Sequence, residues 1–310
     1  MANKSGRSLR LGILVWCLLC CLGVERSIAQ CSNVASGTPT VAGVDHIPVA
    51  VSDLEQADQA YRRLGFTLKP GRFHQDGIRN EIVKFSDGTG VELITAPRAT
   101  DALTAEYRRI LQLGEGGAFV ALRAPNLASL EHQLDVAGLE YKGEADGHVV
   151  TLPLGSRLHH LFFDERIPSR TDAPRYFRHP NTATSLIGVW IAPDDLAPER
   201  ELFTRLGMSI SREQTCTPQC ETRLVWCFPS STIVPLPASR QLVHGRPIIG
   251  AVLKVEDLDK AVSFVGKVVP SATTVVHAAQ WDSVFVPPSA THGIWLELRQ
   301  PHASAQSTAR

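Results

Sequence analysis

Two thiols four residues apart, in Cys216-Thr-Pro-Gln-Cys220, are the most compact reactive group in this sequence. A local Cys216–Cys220 disulfide is the reading adopted. The alternatives, a metal site or a redox pair, want a second Cys/His pair at zinc spacing, and the sequence has none. Imidazole and carboxylate are the other resource: His46, His74, His159, His160 and Glu92 fall in or beside β-rich stretches. Those donor types suit Mn, Fe, Ni, Zn or Co, and open positions on such an ion let neighbouring oxygens of a substrate chelate it. Gly114-Glu-Gly-Gly117 has no Gly-Lys-Ser/Thr ending and is not a phosphate loop. No nucleophile elbow is present. The arginines from Arg166 to Arg178 alternate with Asp164, Glu165 and Asp172 and read as solvating a linker, whereas Trp190, Trp226, Trp281 and Trp295 read as core or pocket-lining residues.

The elements that must position these groups recur four times. Val49-Ala-Val-Ser-Asp-Leu54, Leu122-Arg-Ala-Pro-Asn-Leu127, Ile191-Ala-Pro-Asp-Asp-Leu196 and Leu253-Lys-Val-Glu-Asp-Leu258 share one layout, their last leucines spaced by 73, 69 and 62 residues. Each apolar run reads as a strand. Asp53, Asn126, Asp195 and Asp257 then stand where an N-cap accepts the free N–H groups of a helix start. Leu54, Ala57, Ala60, Tyr61 and Leu64 form one apolar stripe, and Gly65 predicts a left-handed helix end. Gly138 and Gly207 follow at the same interval. Three β-rich stretches come after each helix: 67–72, 81–85 and 90–95 in the first copy, with counterparts in the others. The unit is β-α-β-β-β.

Four such units resemble the vicinal oxygen chelate superfamily, across residues 43 to 300. The first is similar to its glyoxalase-like group, through Val44-Asp45-His46, Leu64-Gly65-Phe66, Gly71-Arg72-Phe73-His74, Asn80 and Gly90-Val91-Glu92-Leu93-Ile94. The resemblance implies an α+β fold of four βαβββ modules, pairing into two open, curved mixed-sheet cups with helices outside. It also implies one divalent metal ion, held by a first-strand His or Gln and a last-strand Glu of paired modules. His46 and Glu92 match those positions. Eight residues before the other anchoring leucines stand Phe119, Gly188 and Gly250, which cannot ligate, so the third ligand is sought at His159 or His160 on the last strand of module two. Side-chain alternation lets only one of these face the cup, and the offset from Gly155 favours His159. His74 and Asn80 match a polar pair assigned to substrate contact. Glu297 matches the last-strand glutamate of module four without its partners; it reads as a relic or a pocket hydrogen-bonder, with an Arg partner equally open.

Thirty-one basic and 31 acidic residues cancel, which argues against a broad nucleic-acid surface, and no apolar run reaches the roughly 18 residues of a membrane span. Lys4, Arg7 and Arg10, the apolar Leu11–Val24 and Ser27-Ile28-Ala29 predict a cleaved signal peptide over 1–29 and export to the periplasm or medium. Gln30 before Cys31 argues against a lipoprotein. The mature chain then has four cysteines, Cys31, Cys216, Cys220 and Cys227. Domains are expected at 43–165 and 185–300, with a linker at 166–184 and a disordered tail at 301–310. The resulting expectation is an exported metal-dependent lyase, isomerase or dioxygenase acting on a small oxygenated molecule. Metal-bound water, Glu92 or His74 would serve as base, and a homodimer is compatible with the sequence. The alternative is a protein that kept the cup and sequesters a small ligand.

Overall fold

A computed structural model of the chain describes residue 31 and residues 39–71, 77–144 and 147–302. The leader read at 1–29, His74 and most of the tail lie outside the described residues; Pro301 still belongs to the last strand.

The first sheet contains β1 (Gly43–Ala50), β2 (Lys69–Pro70), β3 (Arg79–Lys84), β4 (Gly90–Thr95), β5 (Gly116–Gly117), β6 (Val120–Arg123), β7 (Lys142–Gly143), β8 (Val149–Thr151) and β9 (Leu161–Asp164). Its order is β2-β3-β4-β1-β6-β9-β8-β7, with β5 also paired to β1. The second holds β10 (Ala183–Ile191), β11 (Ser209–Cys216), β12 (Cys220–Cys227), β13 (Thr232–Pro235), β14 (Ile248–Val255), β15 (Val276–His277), β16 (Trp281–Val286) and β17 (Trp295–Pro301), ordered β11-β12-β13-β10-β14-β17-β16-β15. Both sheets are mixed. In each, two modules meet where their first strands pair antiparallel, β1 with β6 and β10 with β14. The expected α+β fold of paired βαβββ modules is what the chain adopts.

Helices α1 (Leu54–Arg63), α3 (Leu127–Val136), α4 (Ala197–Arg205) and α5 (Leu258–Val268) are the four repeat helices; α2 (Ala102–Leu113) is additional. Asp53, Asn126 and Asp257 cap three of the repeat helices through the backbone N–H three residues on, at 2.8–3.0 Å. The third copy departs from this. Leu196 occupies the cap position of α4, and Pro198 supplies the favourable first turn. Asp195 accepts from Ala197 N–H and pairs with Arg157 instead.

One continuous core draws on both sheets and on the four repeat helices: Val49, Leu93 and Leu122 of the first sheet, Val189 and Leu253 of the second, Tyr61, Leu130, Phe203 and Val265 of the helices. Helix α2 packs elsewhere. Its Tyr107 and Ile110 bury against Phe119, just before β6, and against Ala50 and Ile94, which alternate with the core-facing residues of their strands. It therefore fills part of the inner face of the first sheet.

Candidate functional site

Parallel pairing of β1 with β4 sets His46 opposite Gly90 and Pro48 opposite Glu92. Alternation along β3 and β4 puts Asn80, Ile82, Lys84 and Glu92 on the inner face. Beside Val44 the β1–β6 register shifts, and both Asp45 and His46 reach the same cavity of about 230 Å³. His46 is held from both sides: Nδ1 lies 2.9 Å from Asp45 Oδ1, and Nε2 lies 3.5 Å from Glu92 Oε2. Arg166 Nε donates to the other Asp45 oxygen at 2.6 Å. Asn80 Nδ2 donates to Glu92 Oε1, and Asp164 closes the wall from β9.

Burial opposes charge on His46, but the Asp45 hydrogen bond and the negative charges of Asp45, Glu92 and Asp164 outweigh it and raise the ring's pKa. Burial likewise opposes the Asp45 carboxylate, which His46 and Arg166 hold below its usual value. Burial raises Asp164 and lowers Lys84.

Strand register identifies the equivalent positions of the other modules. Glu92 stands opposite the residue two beyond His46. By the same relation Phe162, opposite Ala121, answers to Glu92, and Phe119 answers to His46. Val234 pairs with Trp190 beyond Gly188, and Glu297 pairs with Val252 beyond Gly250. Module two thus presents two aromatic rings where ligands were sought. Phe162 packs edge-on to His46 at 5.7 Å and to Phe119 at 6.3 Å.

His159 and His160 precede β9 rather than lying on it, and they do not converge with His46. His159 Nε2 meets both oxygens of Glu106 at 2.7 and 2.8 Å, and His160 Nε2 lies 3.5 Å from Glu199. The offset counted from Gly155 failed because the turn before β9 is longer than the one before β4. Glu297 is fully buried and takes an arginine partner, Arg299, at 2.7 and 3.0 Å, together with Ser283 at 2.6 Å. Cys216 is joined to Cys220, and Cys31 to Cys227. Arg166 does not merely solvate a linker; it crosses from that segment into the cup and pairs with Asp45.

Asp45, Lys84, Asp164 and Arg166 escaped the sequence reading. Asp45 had a signal, since a carboxylate beside a strand histidine can orient the ring. Nothing local marked Asp164 or Arg166, whose partners lie more than a hundred residues away.

His46 and Glu92 are spaced as two donors to one divalent ion would be. Donors roughly 2.0–2.2 Å from an ion sit about 3 Å apart, close to the His46–Glu92 separation. Asp45 fixes the ring with Nε2 turned toward Glu92, the usual carboxylate support of a ligating histidine. Asp45, His46 and Asp164 also offer donor atoms within 4.8 Å of one another, although Arg166 already engages Asp45. His46 and Glu92 fit as two donors to one ion, whereas Asp164 groups with His46 and Asp45 rather than with Glu92.

A model of the glyoxalase-like domain family matches residues 44–207. No curated protein matches the chain. Among solved structures, a hypothetical protein from Staphylococcus aureus is 13% identical with a TM-score of 0.57, over 83% of this chain and 98% of that one. A catechol 2,3-dioxygenase is 15% identical at 0.56, over 84% and 88%. A 4-hydroxymandelate synthase variant from Streptomyces coelicolor is 12% identical at 0.59, over 84% and 93%. At such identities the likeness is one of fold.

Proposed function

Because the chain belongs to the glyoxalase-like domain family, we propose that its first cup is a metal-assisted site acting on a small oxygenated molecule, through lyase, isomerase or dioxygenase chemistry. The observation that carries the proposal is the His46–Glu92 pair, 3.5 Å apart on adjacent parallel strands and braced by Asp45 and Arg166. An ion bound there supplies Lewis-acid stabilisation to an oxyanion developing on the substrate. His46 and Glu92 would hold it, leaving its other positions open to substrate oxygens, and His159 and His160 take no part.

Lys84 Nζ and the Arg166 guanidinium line the same cavity and would anchor a substrate oxygen carrying negative charge. Glu92, steered by Asn80, is placed to take a proton next to a carbonyl. A cavity of about 230 Å³ lies below the roughly 300–1,000 Å³ of drug-sized sites, so the substrate is small.

We place the protein outside the reducing cytoplasm. Its two disulfides support export, since such bonds persist in oxidising compartments. Phe119 and Phe162 in two ligand positions favour a second reading, a metal-free cup that sequesters a small ligand.

Metal analysis of the purified full chain decides between these. About one equivalent of transition metal is expected in the wild type, lost in His46→Ala and in Glu92→Gln with circular dichroism unchanged. Metal retained in both variants refutes the ligand assignment. A wild type that takes up no Mn, Fe, Ni or Zn on reconstitution supports the second reading.

A further inference from the structure

A larger cleft, of about 760 Å³, lies between the two halves. Phe119 and Phe162 separate it from the first cup, their rings bridging from His46 to His159. Its volume falls within the range of small-molecule sites, and the junction of two halves is a common place for one. Three arginines and three carboxylates line it, but they are not all paired with one another. Each lining carboxylate is engaged: Glu106 by His159 and Arg109, Asp195 by Arg157, Asp194 by the Gln241 amide at 2.9 Å. Arg246 is different. It is 7% exposed, donates to the backbone carbonyls of Gly114 and Gly117, and meets no carboxylate at ion-pair distance among the described residues. Burial lowers its pKa only to about 10, so it stays charged at neutral pH. A buried, ionically uncompensated guanidinium facing a cleft is costly unless an anion joins it. Phe119, Ala118 and Ile110 form an apolar stretch inside the cleft, and the exposed Leu113 and Leu154 also line it.

We propose that this cleft is a second small-molecule site, taking a monoanionic carboxylate with an apolar body, its carboxylate on Arg246 and its body against Phe119 and Ile110. A single uncompensated cation matches one negative charge, and the neighbouring Asp194 and Asp195 would repel a polyanion. The stretch of Phe119, Ala118 and Ile110 gives the ligand's apolar body a place to lie. The site is independent of the metal reading of the first cup.

Benzoate is the probe, titrated calorimetrically into the full chain. Saturable 1:1 binding is expected. Arg246→Gln should weaken it about tenfold or more, the loss of one charged hydrogen-bonding group. Arg246 also ties two carbonyls across the halves, so Ser156→Trp serves as the second variant; it blocks the exposed rim without touching that tie and should weaken binding similarly. Glu92→Gln should leave benzoate affinity unchanged. The proposal fails if benzoate shows no saturable binding, or if benzyl alcohol binds as well as benzoate. It also fails if Glu92→Gln abolishes binding while Ser156→Trp spares it, for that would put the ligand in the first cup.

Discussion

Glu199 and His160 show how strongly burial can act on a side chain's chemistry. Among the described residues, neither carboxylate oxygen of Glu199 and not the Nε2 of His160 has a hydrogen-bond partner, although the two side chains face each other at 3.5 Å. Burial pushes Glu199 up to about 7 and His160 down to about 4. The folded state therefore binds a proton at Glu199 more tightly than the unfolded chain does. That contribution is complete below about pH 4.5 and is lost as pH rises through about 7. His160 acts in the opposite sense, its contribution present above about 6.5 and lost as pH falls through about 4. Glu199→Gln should therefore raise the melting temperature more at pH 8 than at pH 5. The gain should be about 1–3 kcal/mol, or a few degrees, followed by calorimetry at both values. An equal gain at the two pH values contradicts the assignment.

Among the elements, α2 lines the larger cleft, through Glu106, Arg109, Ile110 and Leu113. It is an addition to the repeated unit, and it covers the inner face that the other helices leave free. Its N-terminus carries a reciprocal cap in which Asp101 accepts from Thr104 N–H and Thr104 Oγ1 accepts from Asp101 N–H. Tyr107 is buried, and its hydroxyl is pushed well above its usual pKa by burial and by the charges of Glu92 and Glu106. The helix thus stands between the first cup and the larger cleft. Tyr107→Ala should cost about 3–5 kcal/mol, the usual range for deleting a buried aromatic. A lower urea midpoint at unchanged m would show it. A loss below about 1 kcal/mol would mean that α2 is not seated on the sheet.

At the scale of the whole molecule, the two halves are tied as one body. Ser231 Oγ accepts from Val44 N–H at 2.8 Å, Tyr61 donates to the Thr291 carbonyl at 3.1 Å, and Arg246 reaches across to Gly117. Gly65, at φ +84°, ends α1 where any Cβ would strike Phe264 and Asn181. Asn181 is fully buried and donates to the Leu64 carbonyl at 2.9 Å. The span expected as a linker, 166–184, holds a short turn at Pro174–Phe177 and the first residues of β10, and the core shared by both sheets predicts one cooperative unit. Calorimetry should show a single unfolding transition, and Asn181→Ala should lower all of it by about 1–3 kcal/mol. Two separated transitions, only one of them moved by the substitution, would show that the halves fold independently.

The four modules were legible because periodicity is local. An apolar strand, an Asp or Asn cap, a three-turn stripe and a glycine stop each follow from neighbouring residues, and their recurrence revealed the repeat. His46 and Glu92 were singled out through the resemblance, by their places on the first and last strands of module one, and the fold sets their side chains 3.5 Å apart. Helix α2 carried cap and spacing signals in Asp101, Thr104, Tyr107 and Ile110, but it lies outside the repeat, and its seat depends on Phe119 and Ala50 from other strands. His159 and His160 were misplaced because the stretch from Gly155 to β9 is longer than that from Gly88 to β4, so the same offset stops short of the strand. Pairing of Asp45 with Arg166, of His159 with Glu106 and of His160 with Glu199 joins residues far apart in sequence. Such contacts depend on how the sheets curve and how the halves pack, so only the tertiary structure could decide them.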